Sequence, residues 1–412
     1  FVRTHARDNE HEQQTMALSG FSRVRTCFHF SRFLAPVSFN AKSYELPPNA
    51  IFTRTLFHPT KLGLEGFVRY RDIIKTRMGN HSGRFKERMV EYMQISEKNT
   101  VYATDLKTMM HLADTEEELR TTIQLFKRFC QQELSNLKSD FQFGPILMRL
   151  CHHLQQPNIA LELVKDEEFS SRFLQMSSTL VLLDLLYEHK MYNQVFDLFD
   201  KFGEKTLRIK SHQLYTFDAQ LLLGTTAWKL NTPEALTKVT NVMEEILKAK
   251  SEPATRFVCC MCVLAINQGK PEVASDLLDR MNIRPTVALM NTKVLLYATM
   301  GQVDRALNIL QLEMERRVAL MSPSQRLPFV CQNVMDELGK AAEKTGSEEM
   351  QKAYKRIAEE IVNSNSVMNR DLDDLLNAVI FAKRTPQDGY LRRKERRQTE
   401  PPKPAGLSIP SF

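Results

Sequence analysis

Residues 269–281 read Gly-Lys-Pro-Glu-Val-Ala-Ser-Asp-Leu-Leu-Asp-Arg-Met, and this stretch decides the fold. It is closed by Arg-Pro at residues 284–285, after which a new helical pattern begins. A second copy of the stretch starts at Gly301, with Ala306 in the slot that Ala274 occupies in the first copy. In both copies apolar residues follow the alanine at the third and fourth positions, the spacing of a helix face. The stretch therefore predicts a helical unit that recurs along the chain.

The same anchor pattern, a small or aliphatic residue followed by apolar residues about one helical turn later, occurs at six places. The anchors lie 32 to 41 residues apart and are Thr122, Ala160, Val195, Leu236, Ala274 and Ala306. A period of about 33–40 residues with helical patterns and no strand signal predicts an all-α fold, an α-solenoid of helical hairpins. Such an array offers a long concave surface rather than a catalytic pocket, so we expect a binding protein.

The composition agrees with a helical chain. It has only 14 glycines in 412 residues, well below the usual share of about 7%. A solenoid can absorb this length because each repeat buries its apolar residues only against its neighbours. The seven cysteines are odd in number, which favours free thiols in a reducing compartment over a disulfide framework.

Residues 16–42 have the composition of a mitochondrial presequence. The segment contains arginines, serines and phenylalanines, and no acidic residue occurs from Met16 up to Glu45. A presequence needs positive charge and an amphipathic helix, whereas a secretory signal needs an uninterrupted apolar core that is missing here. We expect Met16 to be the start, residues 1–53 to be upstream residues and presequence, and the mature protein to lie in the mitochondrial matrix. No run approaches the length of a membrane span.

The parts of the chain that follow residue 53 differ in net charge. Residues 54–88 carry a net charge of +6, within a basic helical cap predicted for residues 54–104. The repeat array is predicted for residues 105–325, followed by C-terminal helices at 326–382 and a basic disordered tail at 383–412 with a net charge of +5. The central part is net acidic, so a polyanion such as RNA is expected to be held first by the two basic ends.

The repeat resembles a pentatricopeptide repeat. The half-motif Gly-x4-Ala-x2-Leu-Leu-x2-Met at residues 269–281, the Arg-Pro pair and the helix start at 287–291 carry the resemblance. In the family's pattern the loop after the methionine is three residues longer, which accounts for the short spacing between Ala274 and Ala306. The resemblance covers roughly residues 55–325 and implies an α-solenoid that acts in mitochondrial RNA maturation.

The family's pattern implies one base-reading side chain about fifteen residues before each anchor, with a partner at the end of the repeat. Helical repeats of this kind read one base through two or three side chains. Asn291 is the expected amide, with Ser322 or Ser324 as its partner. The other positions depart from the pattern, and this argues against base-specific reading along the whole array. The positions in chain order are Lys107, Pro145, Leu180, Leu221, Cys259 and Asn291.

Basic residues interleave with aromatic ones in residues 67–77. Aromatic rings can stack on bases while basic side chains hold phosphates. The alternative is an amphipathic capping helix whose apolar residues pack on the first repeat. The tail contributes a second cationic segment with weak specificity. The predicted RNA-binding residues are Arg69, Arg71, Lys75, Arg77, Arg392, Arg393, Arg396, Arg397 and, for base reading, Asn291.

No residue pattern predicts a cofactor, a metal site or catalysis. Adjacent cysteines such as Cys259 and Cys260 point in different directions on a helix, unlike the ligands of a zinc knuckle. We interpret them, and the Cys-His-His triplet at 151–153, as buried helix residues. The aspartates at 371–374 lie in an ordinary amphipathic pattern, and no Gly-rich phosphate loop or nucleophile motif occurs.

The sequence therefore predicts a non-catalytic protein that binds single-stranded mitochondrial RNA and supports transcript processing or stability. The alternative is a protein-interaction scaffold in the matrix, linked to RNA-processing or ribosomal proteins. The acidic array and the departures from the base-reading pattern favour this alternative, whereas the basic ends and the family resemblance favour RNA.

The presequence interpretation makes the first testable prediction. Residues 16–60 fused to a fluorescent reporter are expected to direct it to mitochondria, because the segment is basic and free of acids up to Glu45. Changing Arg23, Arg25 and Arg32 together to glutamate should abolish import, as judged by microscopy and fractionation. A cytosolic reporter, or import that survives the triple change, would contradict the interpretation.

Overall fold

The computed structural model describes residues 56–94, 100–135, 141–173, 175–202, 216–281, 285–322 and 327–381. The predicted presequence and the basic tail at 383–412 lie outside the described residues. Within those ranges the chain consists almost entirely of α-helices, which confirms the predicted all-α class.

The α-helices follow one another with short connections. They are α1 (Pro59–Leu62), α2 (Leu64–Met78), α3 (Ser82–Gln94), α4 (Ala103–Leu112), α5 (Glu116–Ser135), α6 (Gly144–His153), α7 (Pro157–Lys165), α8 (Met176–Glu188), α9 (Tyr192–Phe202), α10 (Phe217–Leu230), α11 (Pro233–Lys248), α12 (Thr255–Asn267), α13 (Pro271–Asp279), α14 (Val287–Thr299), α15 (Val303–Leu320), α16 (Gln332–Lys344), α17 (Glu348–Asn363) and α18 (Leu372–Leu376).

The helices pair into hairpins with the predicted period. The six anchors fall in the second helix of consecutive hairpins, from α4–α5 to α14–α15, and all six side chains are buried. Each hairpin packs on the next, which confirms the α-solenoid of helical hairpins. The hairpins α2–α3 and α16–α17 stack on the ends of the predicted array in the same way.

The turn within a hairpin has a recurrent geometry. After α12, Gly269 adopts a positive φ of 67°, and its backbone N–H donates to the Ile266 carbonyl while Lys270 N–H donates to the Ala265 carbonyl. This pairing satisfies the last carbonyls of the helix, and glycine tolerates the left-handed conformation without strain. Pro271 then begins α13, at a position where its missing N–H costs nothing. The motif at residues 269–281 thus encodes the hairpin turn directly.

First helices pack closely against the first helices of the next hairpin. Helices α10 and α12 come close to each other at Gly224 of α10. A Cβ atom added to this glycine would lie 2.6 Å from the Phe257 Cδ2 atom and 3.2 Å from the Phe257 Cα atom of α12. Only glycine allows the two helix backbones to come this close. In most neighbouring pairs, contacts between consecutive first helices are more extensive than those between second helices, so the first helices form the tighter side of the array.

Two short strands and 3-10 turns at Gly79–His81 and Ser170–Phe173 occur between the helices of the described ranges. Strand β1 (Val330–Cys331) pairs in parallel with β2 (Val367–Met368), and Phe57 forms an isolated parallel bridge with Ile380. These pairings connect residues that are far apart in the chain. Among the described helices, none combines the length and apolarity needed to cross a bilayer.

The buried anchors make a prediction about packing. Replacing Ala274 or Ala306, both fully buried, with phenylalanine should overfill the hairpin and lower the free energy of unfolding by about 1–3 kcal/mol. Denaturant unfolding followed by circular dichroism measures the change. Asp276→Phe is the control, since its side chain on the same helix is 71% exposed. Unfolding curves that coincide for all three variants and the parent would mean that the hairpin register is wrong.

Candidate nucleic-acid interface

The predicted base-reading positions occupy one register of the array. Five of them are the fifth residue of their first helix, and Pro145 is the second residue of α6; the five are Lys107, Leu180, Leu221, Cys259 and Asn291. Their exposure falls along the chain. Lys107 and Leu180 are half-buried, whereas Leu221, Cys259 and Asn291 are buried. In the later repeats, therefore, this register contributes to the core.

Asn291 corrects one of the sequence predictions. Its side chain is completely buried, and its Nδ2 atom donates to the Val287 and Phe329 carbonyl oxygens, both at 2.8 Å. Its Oδ1 atom accepts from the Cys331 backbone N–H at 2.8 Å. Both atoms of the side-chain amide are therefore hydrogen-bonded to backbone groups of α14 and of the loop before α16. The side chain cannot bind a base in this structure, so the prediction that Asn291 reads a base is wrong for it. Its partner position Ser322 follows α15, and Ser324 lies outside the described residues.

A segment near the N-terminus of the described chain lies across the first helices. Residues 56–62 contact α8 through α1. Arg149 of α6 donates from Nε to the Leu62 carbonyl at 2.9 Å. Lys61 donates from Nζ to an Asp218 carboxylate oxygen of α10 at 2.6 Å. These contacts anchor the segment on hairpins that lie far from it in sequence.

A second segment, residues 366–381, approaches from the other end of the array. Its helix α18 packs on α12 and α14. The Leu372 backbone N–H donates to Asn333 Oδ1 at 3.3 Å, and Arg256 donates from Nη1 to the Ala378 carbonyl at 2.6 Å. Leu372 is buried against these helices. The amphipathic pattern predicted at 371–376 thus covers other helices of the array.

The two segments meet and form one layer, which we call the terminal cover (residues 56–62 and 366–381). His58 N–H donates to the Ile380 carbonyl at 2.8 Å, and Ile380 N–H donates to the Leu56 carbonyl at 3.0 Å. The rings of His58 and Phe381 stack with their centroids 4.6 Å apart. Sequence reasoning missed this layer, because short irregular segments carry no periodic signal.

The terminal cover lies on the helix face that holds the base-reading register. Asp218, Arg256 and Asn333, which bind the cover, are the second residues of α10, α12 and α16. Second and fifth residues of a helix are three apart and therefore share a face. In this structure residues 56–62 and 366–381 occupy the path that a base-reading ligand would follow along the later repeats.

Arg71 corrects a second prediction. Its side chain is only 2% exposed, and Nη2 donates to the Ala113 carbonyl at 2.7 Å and to Asp114 Oδ1 at 2.6 Å. It therefore caps the C-terminal end of α4 from the neighbouring α2, a favourable place for a cation. Burial favours a higher pKa for Asp114, but Lys75, Arg71 and Lys86 outweigh it and the pKa is lowered. Arg71 is a structural residue, as the capping-helix alternative implies.

The other predicted basic residues of α2 differ in their surroundings. Arg69 is 71% exposed and lies 3.8 Å from a Glu65 carboxylate oxygen, a loose ion pair. Lys75 is exposed and bonds to Asp114 Oδ1 at 2.7 Å. Arg77 is exposed near the end of the helix. Arg69 and Arg77 are therefore available to an anionic ligand, whereas Lys75 would exchange an existing partner.

Exposed aromatic rings lie beside this basic surface. The Lys107 Nζ atom is 5.4 Å from the ring centroid of Tyr70 and 4.7 Å from that of Phe141. Tyr70 and Phe141 are each more than one-third exposed. His111 packs edge-on against Tyr70 at 4.7 Å, as expected for a helix-interface histidine. The first repeat and its cap thus combine exposed cations with partly exposed aromatic rings, the side-chain types that bind single-stranded nucleic acids.

The tail residues of the predicted interface, Arg392, Arg393, Arg396 and Arg397, lie outside the described residues. Their role remains a prediction from charge alone.

The cysteines of the array are buried, as predicted. Cys259, Cys260 and Cys262 lie on α12 and are completely inaccessible. Burial raises the pKa of the Cys259 thiol, and that of Cys151, to about 12. These thiols stay protonated at neutral pH and serve as small apolar residues.

A polar cluster of His152, Asp184 and Glu188 joins α6 to α8. His152 Nε2 lies 3.1 Å from Asp184 Oδ2 and 3.7 Å from Glu188 Oε2. Burial raises the pKa of Glu188 to about 7, with His152 opposing the rise. Burial lowers the pKa of His152, but its hydrogen bond to Asp184 and the charge of Glu188 outweigh this and the pKa is raised. The triplet that contains His152 stands out in the sequence but shows no connection there with Asp184 and Glu188, because these residues come from another helix about 30 residues away.

The fold defines a class: the chain is a helical-hairpin repeat protein, and its repeat is similar to the pentatricopeptide repeat. No protein-family model matches it, and the similarity rests on individual relatives. The chain is similar to pentatricopeptide repeat-containing protein 2, mitochondrial. The Mus musculus protein is 22% identical over 218 residues, which are 53% of this chain and 56% of that protein.

Two further relatives carry the same name. The Pongo abelii protein is 23% identical over 254 residues, 61% of this chain and 62% of that protein. The Danio rerio protein is 21% identical over 314 residues, 76% of this chain and 79% of that protein. The chain spans less than two thirds of the length of the first two relatives. These similarities confirm the resemblance that the motif at 269–281 and the repeat period indicate.

The buried amide makes a prediction about stability. Asn291→Ala should lower the free energy of unfolding, because it leaves the Phe329 carbonyl and the Cys331 N–H buried without partners, each at a cost of about 1–3 kcal/mol. Chemical denaturation measures the loss. Asn308→Ala is the matched control, since Asn308 is exposed on α15. A loss no larger than that of the control would show that the loop before α16 does not depend on Asn291.

Proposed function

We propose that this protein is a non-catalytic RNA-binding solenoid of the mitochondrial matrix that supports transcript maturation, processing or stability. The observation that carries the proposal is the surface at the N-terminal end of the array, where exposed Arg69 and Arg77 lie on the same helix as Tyr70, and half-buried Lys107 lies over the partly exposed rings of Tyr70 and Phe141. The relatives named pentatricopeptide repeat-containing protein 2, mitochondrial, support the location and the class of ligand.

The contacts suggest how RNA is held. Arginines on α2 bind phosphates, and a base can stack on Tyr70 or Phe141, whose faces are partly accessible. Because the later base-reading positions are buried, binding is expected to depend on salt and to discriminate weakly between sequences. The predicted tail arginines, Arg392 to Arg397, add a second phosphate-binding segment in this proposal.

One observation favours the alternative, a protein-interaction scaffold linked to RNA-processing or ribosomal proteins. The terminal cover fills the face on which the later repeats would read bases. The acidic net charge of residues 89–382 also suits a basic protein partner better than RNA. In that case the array would present its outer surfaces to the partner.

The two functions are separated by RNA binding across a salt series. The variant Arg69→Gln, Arg77→Gln, Arg84→Gln removes three exposed charges from α2 and α3. If each contacts one phosphate, the slope of log affinity against log salt should fall by about 2, which is about 0.7 per single-strand contact. The assay is fluorescence anisotropy with a labelled single-stranded RNA, repeated with a second RNA of different sequence.

The matched control is Lys352→Gln, Lys355→Gln, Arg356→Gln, which removes three exposed charges from α17. It should leave the slope close to that of the parent. Equal losses in both variants would show that net charge alone attracts RNA. If the intact protein binds neither RNA at low salt, the scaffold function replaces the RNA-binding one.

A further inference from the structure

Three side chains of the types that bind divalent cations converge between the second and third hairpins of the array. The potential ligand atoms of His152, Asp184 and Glu188 all lie within 4.8 Å of one another. The three side chains are 7%, 1% and 8% exposed, respectively. Asp184 and Glu188 are four residues apart on α8 and therefore project from the same helix face. The arrangement is rigid, since both helices belong to the stacked array.

The cluster brings two carboxyl groups to the single imidazole of His152, at 3.1 Å for Asp184 and 3.7 Å for Glu188. The Phe57 backbone also faces the Asp184 carboxylate, yet the Asp184 Oδ1 atom is buried without a hydrogen-bond partner. A buried polar atom without a partner is uncommon, and an ion or a water can supply one. A divalent cation would bind both carboxylates and give Asp184 its missing partner.

The helix ends add to the preference for a cation. His152 is the second-last residue of α6, and Glu188 is the last residue of α8. The C-terminal end of a helix carries partial negative charge, so both ends stabilise a positive ion placed between them.

A neighbouring amide joins the two helix ends beside the cluster. Gln155, in the left-handed conformation after α6, donates from Nε2 to the His152 carbonyl at 3.0 Å. Its Oε1 atom is 2.8 Å from Nε2 of His189, the residue that follows α8.

We propose that His152, Asp184 and Glu188 bind one divalent transition-metal cation of the Zn²⁺ class, which joins α6 to α8. An imidazole nitrogen and carboxylate oxygens are ordinary zinc ligands, and a fourth position is open to water. The site lies next to Phe57 of the terminal cover, so the cation stabilises the base on which the cover rests. The proposal is independent of RNA binding.

The test uses the full chain, stripped with EDTA and dialysed. Isothermal titration with ZnSO4 near pH 7.5 should give one Zn²⁺ per chain, and Zn²⁺ should raise the melting temperature by several degrees whereas MgCl2 should not. Asp184→Asn and His152→Gln should each weaken Zn²⁺ binding at least tenfold and remove the thermal shift. His153→Gln is the matched control, because this adjacent histidine is exposed and outside the cluster.

Circular dichroism decides whether the variants fold. If Asp184→Asn or His152→Gln is unfolded, Glu188→Gln decides the outcome, since it keeps the shape of the side chain and removes one charged ligand. The proposal is overturned if the parent binds less than one Zn²⁺ per chain. It is also overturned if the folded variants bind Zn²⁺ as tightly as the parent, since the ion would then sit at exposed histidines. In either case the cluster is a buried ion pair of His152 with two carboxylates.

Discussion

No single hairpin of this chain can bury its own apolar residues, and the rest of the structure follows from that constraint. Helix α12 shows it most clearly, because every residue from Phe257 to Ala265 is buried, whichever side of the helix it faces. A helix that is apolar all round needs neighbours on every side. The preceding first helix supplies one of them through the contact of Gly224 with Phe257, and the next first helix supplies another. Stacking is therefore obligatory, and each hairpin depends on the next.

The terminal cover also buries apolar residues of the first helices. The terminal cover buries Leu56, Phe57 and Leu372 against first helices that would otherwise expose apolar surface. A ligand that used the later repeats would have to compete with these intramolecular contacts, which involve no loss of translational freedom. The N-terminal end of the array is different, since its arginines and rings remain accessible. The exposed basic residues thus lie at the N-terminal end of the array, whereas the predicted base-reading positions of the later repeats lie elsewhere and are buried.

Several residues that look functional in the sequence serve the backbone instead. Arg71 caps α4, and Asn291 bonds to three backbone groups around the loop before α16. Both replace water at polar groups that burial would leave unsatisfied, so both are needed for stability. His152 belongs to a triplet that is not predicted from the sequence to be a metal site, yet it faces two carboxyl groups from the next hairpin. The type of a residue indicates what it can bind, and its neighbours determine what it does bind.

The sequence by itself determined the helical hairpins, their period, the buried anchors such as Ala274 and the buried cysteines of α12, because these depend on local spacing and apolarity. The predicted base-reading positions also share one register, since five of them are the fifth residue of their helix in the structure. Only the tertiary structure decided whether those positions are open, since burial depends on segments more than 100 residues away, as in the bond from Arg256 to Ala378. The terminal cover and the His152 cluster likewise arise from contacts between distant residues. Such contacts leave no periodic pattern in the sequence, because they are made by single side chains and short irregular segments. Which residues become their partners depends on how the hairpins stack.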